Sequence, residues 1–385
     1  MSLGGASLGI RSSSYVNHSN PASYTSIDTM SFLFEGGIYT QSATLKTLTA
    51  SQKSTFSSIG PISIGFPITR WIKASIGLMP YSNVGYKINE QKSLAVGDTT
   101  TTISNIYDGS GGINTAYMGL GIAISRNLSI GVNADFLFGT IRRNSTSNFL
   151  DLLYAQSYRE SNMIKINDFN FNFGLQYNTK LGKDKHLTLG FVYAPALNIK
   201  ASNDTIANMV SASNPETVLY KVSQSSTING KIKMPQSIGG GFSFEKDDKW
   251  LVAGDVYMQN WKKFNMFGKS DSLKNSLRAS LGVQIIPNAT DYNNYFKRVR
   301  YRFGVSVNNT YLQLNGKQIN EFGLSFGAGF PVRKSQSDVS KAIINFGVEI
   351  GQRGTTNLNL IKENYVRFTA SMSLYDFWFR QHKFY

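Results

Sequence analysis

Apolar and polar residues alternate with a period of two along most of this chain. Phe169, Phe171, Phe173, Leu175 and Tyr177 alternate with Asn170, Asn172, Gly174, Gln176 and Asn178. Leu128, Ile130, Val132, Ala134, Phe136 and Phe138 alternate with a small or polar set that includes Gly131, Asn133 and Asp135. Leu277 to Ile285, Phe322 to Phe330 and Ile344 to Ile350 repeat the pattern. Successive side chains of a strand point to opposite faces, so each run has one oily and one polar face. The alternation predicts strands near 30–40, 56–66, 73–88, 112–125, 127–143, 163–178 and 186–199. It predicts seven more near 229–246, 248–262, 273–287, 298–309, 319–330, 341–353 and 364–379. Many exceed the five or six residues, roughly, of a soluble strand.

The links between strands alternate too. "SRN", "KLGKDK" and "EKDDK" are short, whereas 89–111, 144–162 and 200–228 are long, polar and rich in Ser, Thr and Asn. An even strand count, brief turns at one end, long loops at the other and aromatic ends form the pattern of a transmembrane antiparallel β-barrel. Two soluble β-sandwiches would explain the alternation but not the strand lengths, the loop asymmetry or the aromatic ends. The fold expected is all-β, a barrel of about fourteen strands over 30–385, preceded by a short N-terminal segment, 1–29, for which the family resemblance given below implies a plug.

The polar faces then line the lumen, and Asp135, Asn172, Gln176, Arg278, Gln284, Arg302, Glu349 and Arg367 are the expected lumen residues. The last strand, "VRFTASMSLYDFWFR", turns aromatic as it ends. Tyr375, Phe377, Trp378 and Phe379 are expected as an interfacial girdle, since aromatic rings suit the bilayer boundary.

Composition narrows the chemistry. The chain has 385 residues, with 20 Tyr, 25 Phe and 35 Gly, which favours β-structure. No apolar run approaches the roughly 18 residues of a spanning helix. "MSLGGASLGIRSSSY" lacks a basic start followed by an apolar stretch, so no signal peptide is read there. Cysteine is absent, and His18, His186 and His382 have no ligand spacing. No catalytic residue, metal site or cofactor is expected, and no enzyme. The formal charge of +16 raises nucleic acid as a partner. Its densest basic stretch, "KRVRYRF", instead alternates Arg298, Arg300 and Arg302 with Val299, Tyr301 and Phe303 as a strand would. Lumen arginines and basic turns near anionic head groups account for the charge without nucleic acid.

Four stretches, in order, resemble the FadL/TodX family of outer-membrane transporters of hydrophobic compounds. "NPAS", Asn20 to Ser23, resembles the end of that family's plug segment, and "GLMPYSNVGYKI", Gly77 to Ile88, its kinked third strand. "GFVYAPALNIKA", Gly190 to Ala201, is similar to the strand before a large outer loop. "MPQSIGGGFSFEKDDKWLVAGDVYMQNWKKF", Met234 to Phe264, looks like a hairpin of the family. The resemblance implies a fourteen-stranded bacterial outer-membrane barrel, plugged around Asn20, Pro21 and Ala22. It also implies a lateral wall opening near Met79, Pro80, Asn83 and Gly85, through which small hydrophobic molecules leave. Pro80 fits such an opening physically, because proline gives no N–H to a ladder. The short N-terminal segment and the polar stretches 89–111 and 200–228 depart from the family pattern. The N-terminal wording looks like a Bacteroidota-type branch, whose relatives include barrel subunits of export or barrel-assembly machines. Two functions are therefore expected in parallel: passive passage of a hydrophobic ligand, or an accessory barrel in an outer-membrane protein-assembly or secretion complex. The partners expected are outer-membrane lipid and lipopolysaccharide, with a hydrophobic ligand under the first reading and protein partners under the second.

Overall fold

The computed structural model describes residues 2–96, 99–150, 156–211, 214, 217–225, 227–291, 293–332 and 341–377. They form a closed antiparallel barrel of fourteen staves, several broken into segments. The first four staves are β1 (Ser31–Lys46), β2 (Ser51–Ile59) with β3 (Ile62–Pro67), β4 (Ile72–Asn83) with β5 (Tyr86–Val96), and β6 (Thr99–Ala123). Then come β7 (Leu128–Phe149), β8 (Ser157–Lys180), and β9 (Lys185–Ala194) with β10 (Asn198–Val210). The eighth stave holds β11 (Val218–Gln224), β12 (Ile228–Lys233) and β13 (Ser237–Lys246), and the ninth β14 (Trp250–Gln259) with the short β15 (Asn265–Met266). The last five are β16 (Ser276–Ile285), β17 (Arg300–Leu314), β18 (Lys317–Val332), β19 (Lys341–Gly354) and β20 (Lys362–Phe377). The first stave pairs with the last, from Ser31 opposite Phe377 to Lys46 opposite Lys362, and this ladder closes the barrel.

The two faces of the wall are inverted relative to a soluble protein. Phe169 and Phe368, on the outer face, are 52% and 55% exposed, whereas Gln176 and Asn133, inside, are fully buried. Hydrocarbon outside and a filled interior produce that inversion. β9, β13, β14 and β16 have 10 residues each, close to the roughly 9–11 that a tilted strand needs to span. β6, β7 and β8 have 25, 22 and 24, so more than half of each projects past the bilayer.

That projection corrects the sequence reading of 89–111, 144–162 and 200–228 as outer loops. Most of those residues belong to β5 to β8, β10 and β11. Beyond the bilayer both faces of a hairpin meet water, so the apolar alternation fades while threonine-rich strands still pair. The girdle is also corrected. Tyr375 sits opposite Leu33 with its ring buried in a cluster with Val16, Tyr24, Ile27 and Tyr117. Its hydroxyl donates to Asp28 at 2.8 Å. Phe377 packs on the same cluster. Both share the inward parity of Arg367 and Ser373, which fixes their direction whatever their chemistry. Trp378 and Phe379 lie outside the described residues.

Candidate functional site

The N-terminal segment runs inside the barrel. Asn20 caps the short 3-10 helix Pro21–Ser26, its side-chain oxygen accepting the Ala22 N–H at 3.2 Å. Its amide nitrogen donates to the Leu8 and Leu175 carbonyls at 2.9 and 3.3 Å. Gln176 donates to the Leu8 carbonyl at 2.9 Å and accepts from Arg11 at 3.1 Å. Asp255 accepts two successive backbone N–H groups, from Ser7 and Leu8. Tyr24 donates to Asn133 at 2.9 Å, and Asn133 in turn donates to the His18 carbonyl at 2.9 Å. Arg278 donates to the Gly4 carbonyl at 3.1 Å, and the Gly4 N–H donates to Ser325 at 2.9 Å. Enclosure holds the His18 imidazole down, to about 4, so it is neutral where it faces Tyr117.

Shape fixes the segment as much as polarity does. A Cβ on Gly131 would overlap the Pro21–Ala22 peptide, and one on Gly304 would overlap the Gly4 amide. Gly190 meets Leu8, Gly282 meets Leu3, and Gly327 and Gly347 meet Ser2 in the same way. At these points the wall carries no side chain, and the polar side chains between them hold the segment. Each hydrogen bond is worth about 1 kcal/mol net, so no single one holds the plug; the distributed set does.

The remaining lumen residues make contacts of their own, Arg302 toward the short-turn end of the barrel and Arg367 toward the outer end. Arg302 donates to Gln284 at 2.8 Å and to Asn345 at 2.7 Å. Arg367 pairs with Glu349 at 3.3 Å and donates to Gln41 at 2.8 Å. Asp135 and Asn172 line a cavity of about 370 Å³ together with Met79 and Tyr81, and a neighbouring cavity of about 540 Å³ reaches Gly60 and Pro61. Above these, the inner face is apolar rather than polar. Ile113, Leu137 and Ile199 pack together, and Ile164, Ala201 and Ile232 are covered by Phe264, Met266 and Phe267 of the loop after β14. This apolar vestibule was hidden from the sequence reading because it lies on strand extensions taken for loops.

The ladder between the second and third staves is interrupted part-way up, at a seam. β3 and β4 pair from Pro67 opposite Lys73 up to Ile62 opposite Leu78. The next two rungs of that register would set Pro61 against Met79 and Gly60 against Pro80. Neither proline has an N–H, and the Gly60 N–H turns away to the Gly37 carbonyl at 2.7 Å. Above that point β2 pairs with β1 and β4 with β6, with a register shift between Pro80 and Ser82. No ladder joins β2 to β4 or β5 among the described residues. Asn83 faces Gly112 at the end of the β4–β6 ladder, and Gly85 separates β4 from β5. Pro61 is the residue that the sequence reading missed: only the register shows it opposite the kink.

A sequence-family profile described as BamG matches residues 1–385. No curated protein sequence matches. Among solved structures, the Pseudomonas putida toluene transporter TodX superposes with a TM-score of 0.57 at 15% identity, covering 96% of this chain and 97% of its own. A Pseudomonas aeruginosa FadL homologue gives 0.58 at 10% identity, with coverages of 94% and 93%. The Ralstonia pickettii toluene transporter TbuX gives 0.55 at 12%, with 92% and 91%. At such identities the likeness is one of fold.

Two outcomes test this geometry. Gly304→Val or Gly131→Val should unseat the N-terminal segment and expose it to protease, with a lower midpoint in a heat-modifiability gel; Gly240→Val, where a side chain meets open space, should not. Replacing Pro61 and Pro80 together by valine should lengthen the β3–β4 ladder, and slower hydrogen–deuterium exchange across 51–59 and 79–83 is the readout.

Proposed function

Because this chain belongs to the BamG family along its whole length and is a bacterial outer-membrane barrel of the FadL fold type, we propose that it serves as an accessory barrel subunit of an outer-membrane protein-assembly complex. The observation that carries the reading is the seam. Above Pro61 and Pro80, β2 and β5 each keep one strand edge without a ladder partner. An unpaired edge is a template for a strand from another chain. The base of the lumen supports the same reading: a segment held by wall contacts on many strands makes a stiff post better than a pore.

A second reading, lateral passage of a small hydrophobic molecule, has its own observation in favour. The apolar vestibule around Ile113, Leu137 and Ile199 includes Met234, which also lines the cavity beside Met79 and Tyr81. That chain of contacts runs from the outer end of the lumen to the seam. The toluene transporters TodX and TbuX share this fold.

Extraction from native outer membrane in mild detergent, followed by protein mass spectrometry, separates the readings. The subunit reading expects stoichiometric protein partners, and photo-crosslinkers at Ser54 or Asn89 should reach them. A barrel that emerges alone, with no crosslink at either edge, would sink it. Uptake of a hydrophobic probe that disappears in the Pro61, Pro80 double variant would favour passage.

A further inference from the structure

A cavity of about 700 Å³ lies at the outer end of the eighth and ninth staves and shares no lining residue with the two lumen cavities. Four lysines line it: Lys231 and Lys233 of β12, and Lys262 and Lys263 of the short 3-10 turn Trp261–Lys263. No aspartate or glutamate lines it. Among the described residues, none of these four ammonium groups makes an ion pair. These four are the only charged side chains that line the cavity, so its charged lining is wholly cationic.

Register gives the direction. Ile199, Ala201 and Ile232 are buried on the inner face. Lys231 and Lys233 flank Ile232 on the strand and therefore project outward, with Lys200 opposite Lys231. Height follows from strand length. β9 and β13 have 10 residues each and end at Ala194 and Ser237, just below this site. A tilted strand of that length crosses the hydrocarbon once, so the lysines stand at the level of the outer head groups. Directly beneath, Leu189, Phe191, Ile238 and Phe242 present an apolar outer wall. Phe264 and Phe267 add apolar lining to the cavity itself.

Cationic above and apolar below is the profile of an anionic amphiphile. We propose that this cavity holds the phosphate-bearing head group of an outer-leaflet glycolipid of the lipopolysaccharide type, with its acyl chains lying on β9 and β13. Free inorganic phosphate would use the lysines but gain nothing from the wall beneath them. Each lysine near an anionic lipid surface contributes about fivefold in affinity.

The test uses the full chain, purified from native outer membrane in mild detergent, with lipid phosphate and glycolipid quantified per barrel by mass spectrometry. Replacing all four lysines by alanine should lower the retained glycolipid at least about tenfold, while the four lysine-to-arginine changes should keep it. Should the fourfold alanine variant fail to give a folded, heat-modifiable band, Lys262→Ala with Lys263→Ala alters only the turn and should still lower retention several-fold. In reconstituted discs, lipopolysaccharide should raise the thermal midpoint of the wild type, and millimolar inorganic phosphate should not. Equal glycolipid retention in the alanine variants would overturn the proposal. So would equal stabilisation by inorganic phosphate, which would assign the lysines to a free anion.

Discussion

Every backbone amide in the hydrocarbon must find a partner within the protein, and the whole structure follows from that requirement. A sheet in lipid has no water to satisfy its edges, so the first stave must pair with the last, as it does from Ser31 to Lys46. Closure in turn fixes which face of each strand is oily. Between β2 and β4 that rule is relaxed. There the next two rungs would fall to Pro61 and Pro80, with no N–H to donate, to Gly60, whose N–H is spent on Gly37, and to Met79, which pairs with Thr115 of β6. Two of the four residues at the point where pairing stops have no N–H to leave unpaired.

The interior obeys a different logic. A hollow barrel of this size would leave space in its lumen, and the chain fills it with its own N-terminal residues. Polar side chains on the wall take up the carbonyls and amides of a segment that has almost no regular structure to satisfy them itself. The wall makes room by carrying glycine at the contact points. Asp255 does the most concentrated work, receiving two adjacent amides of the segment on one carboxylate oxygen.

Much of the architecture was legible in the sequence because a period of two is imposed by geometry and survives any local choice of residue. The strand count, the short inner turns and the inward direction of Gln176, Arg302 and Arg367 could all be read from parity. Tyr375 shows where chemical intuition misled. An aromatic residue near a strand end suggested the bilayer boundary, but its parity had already placed it inside. The strands beyond the bilayer were illegible for a physical reason: with water on both faces nothing selects alternation, and Ser and Thr suit a loop as well as a hairpin. The partnership of Pro61 with the Pro80 kink depends on a register that no local pattern encodes. The plug contacts were similarly hidden, because a glycine on a polar face reads as a small lumen residue until the segment lying against it is known.

The glycine contacts carry a consequence for the order of events during biogenesis. Ser2 lies against Gly327 and Gly347, near the end of the chain, while Pro21 lies against Gly131 near its beginning. Tyr375, among the last residues of the final stave, is bonded to Asp28, which lies just before the first. The segment thus touches early and late strands together, so its full set of contacts exists only once the first and last staves are both in the wall, and docking of the N-terminus reports completion of the barrel.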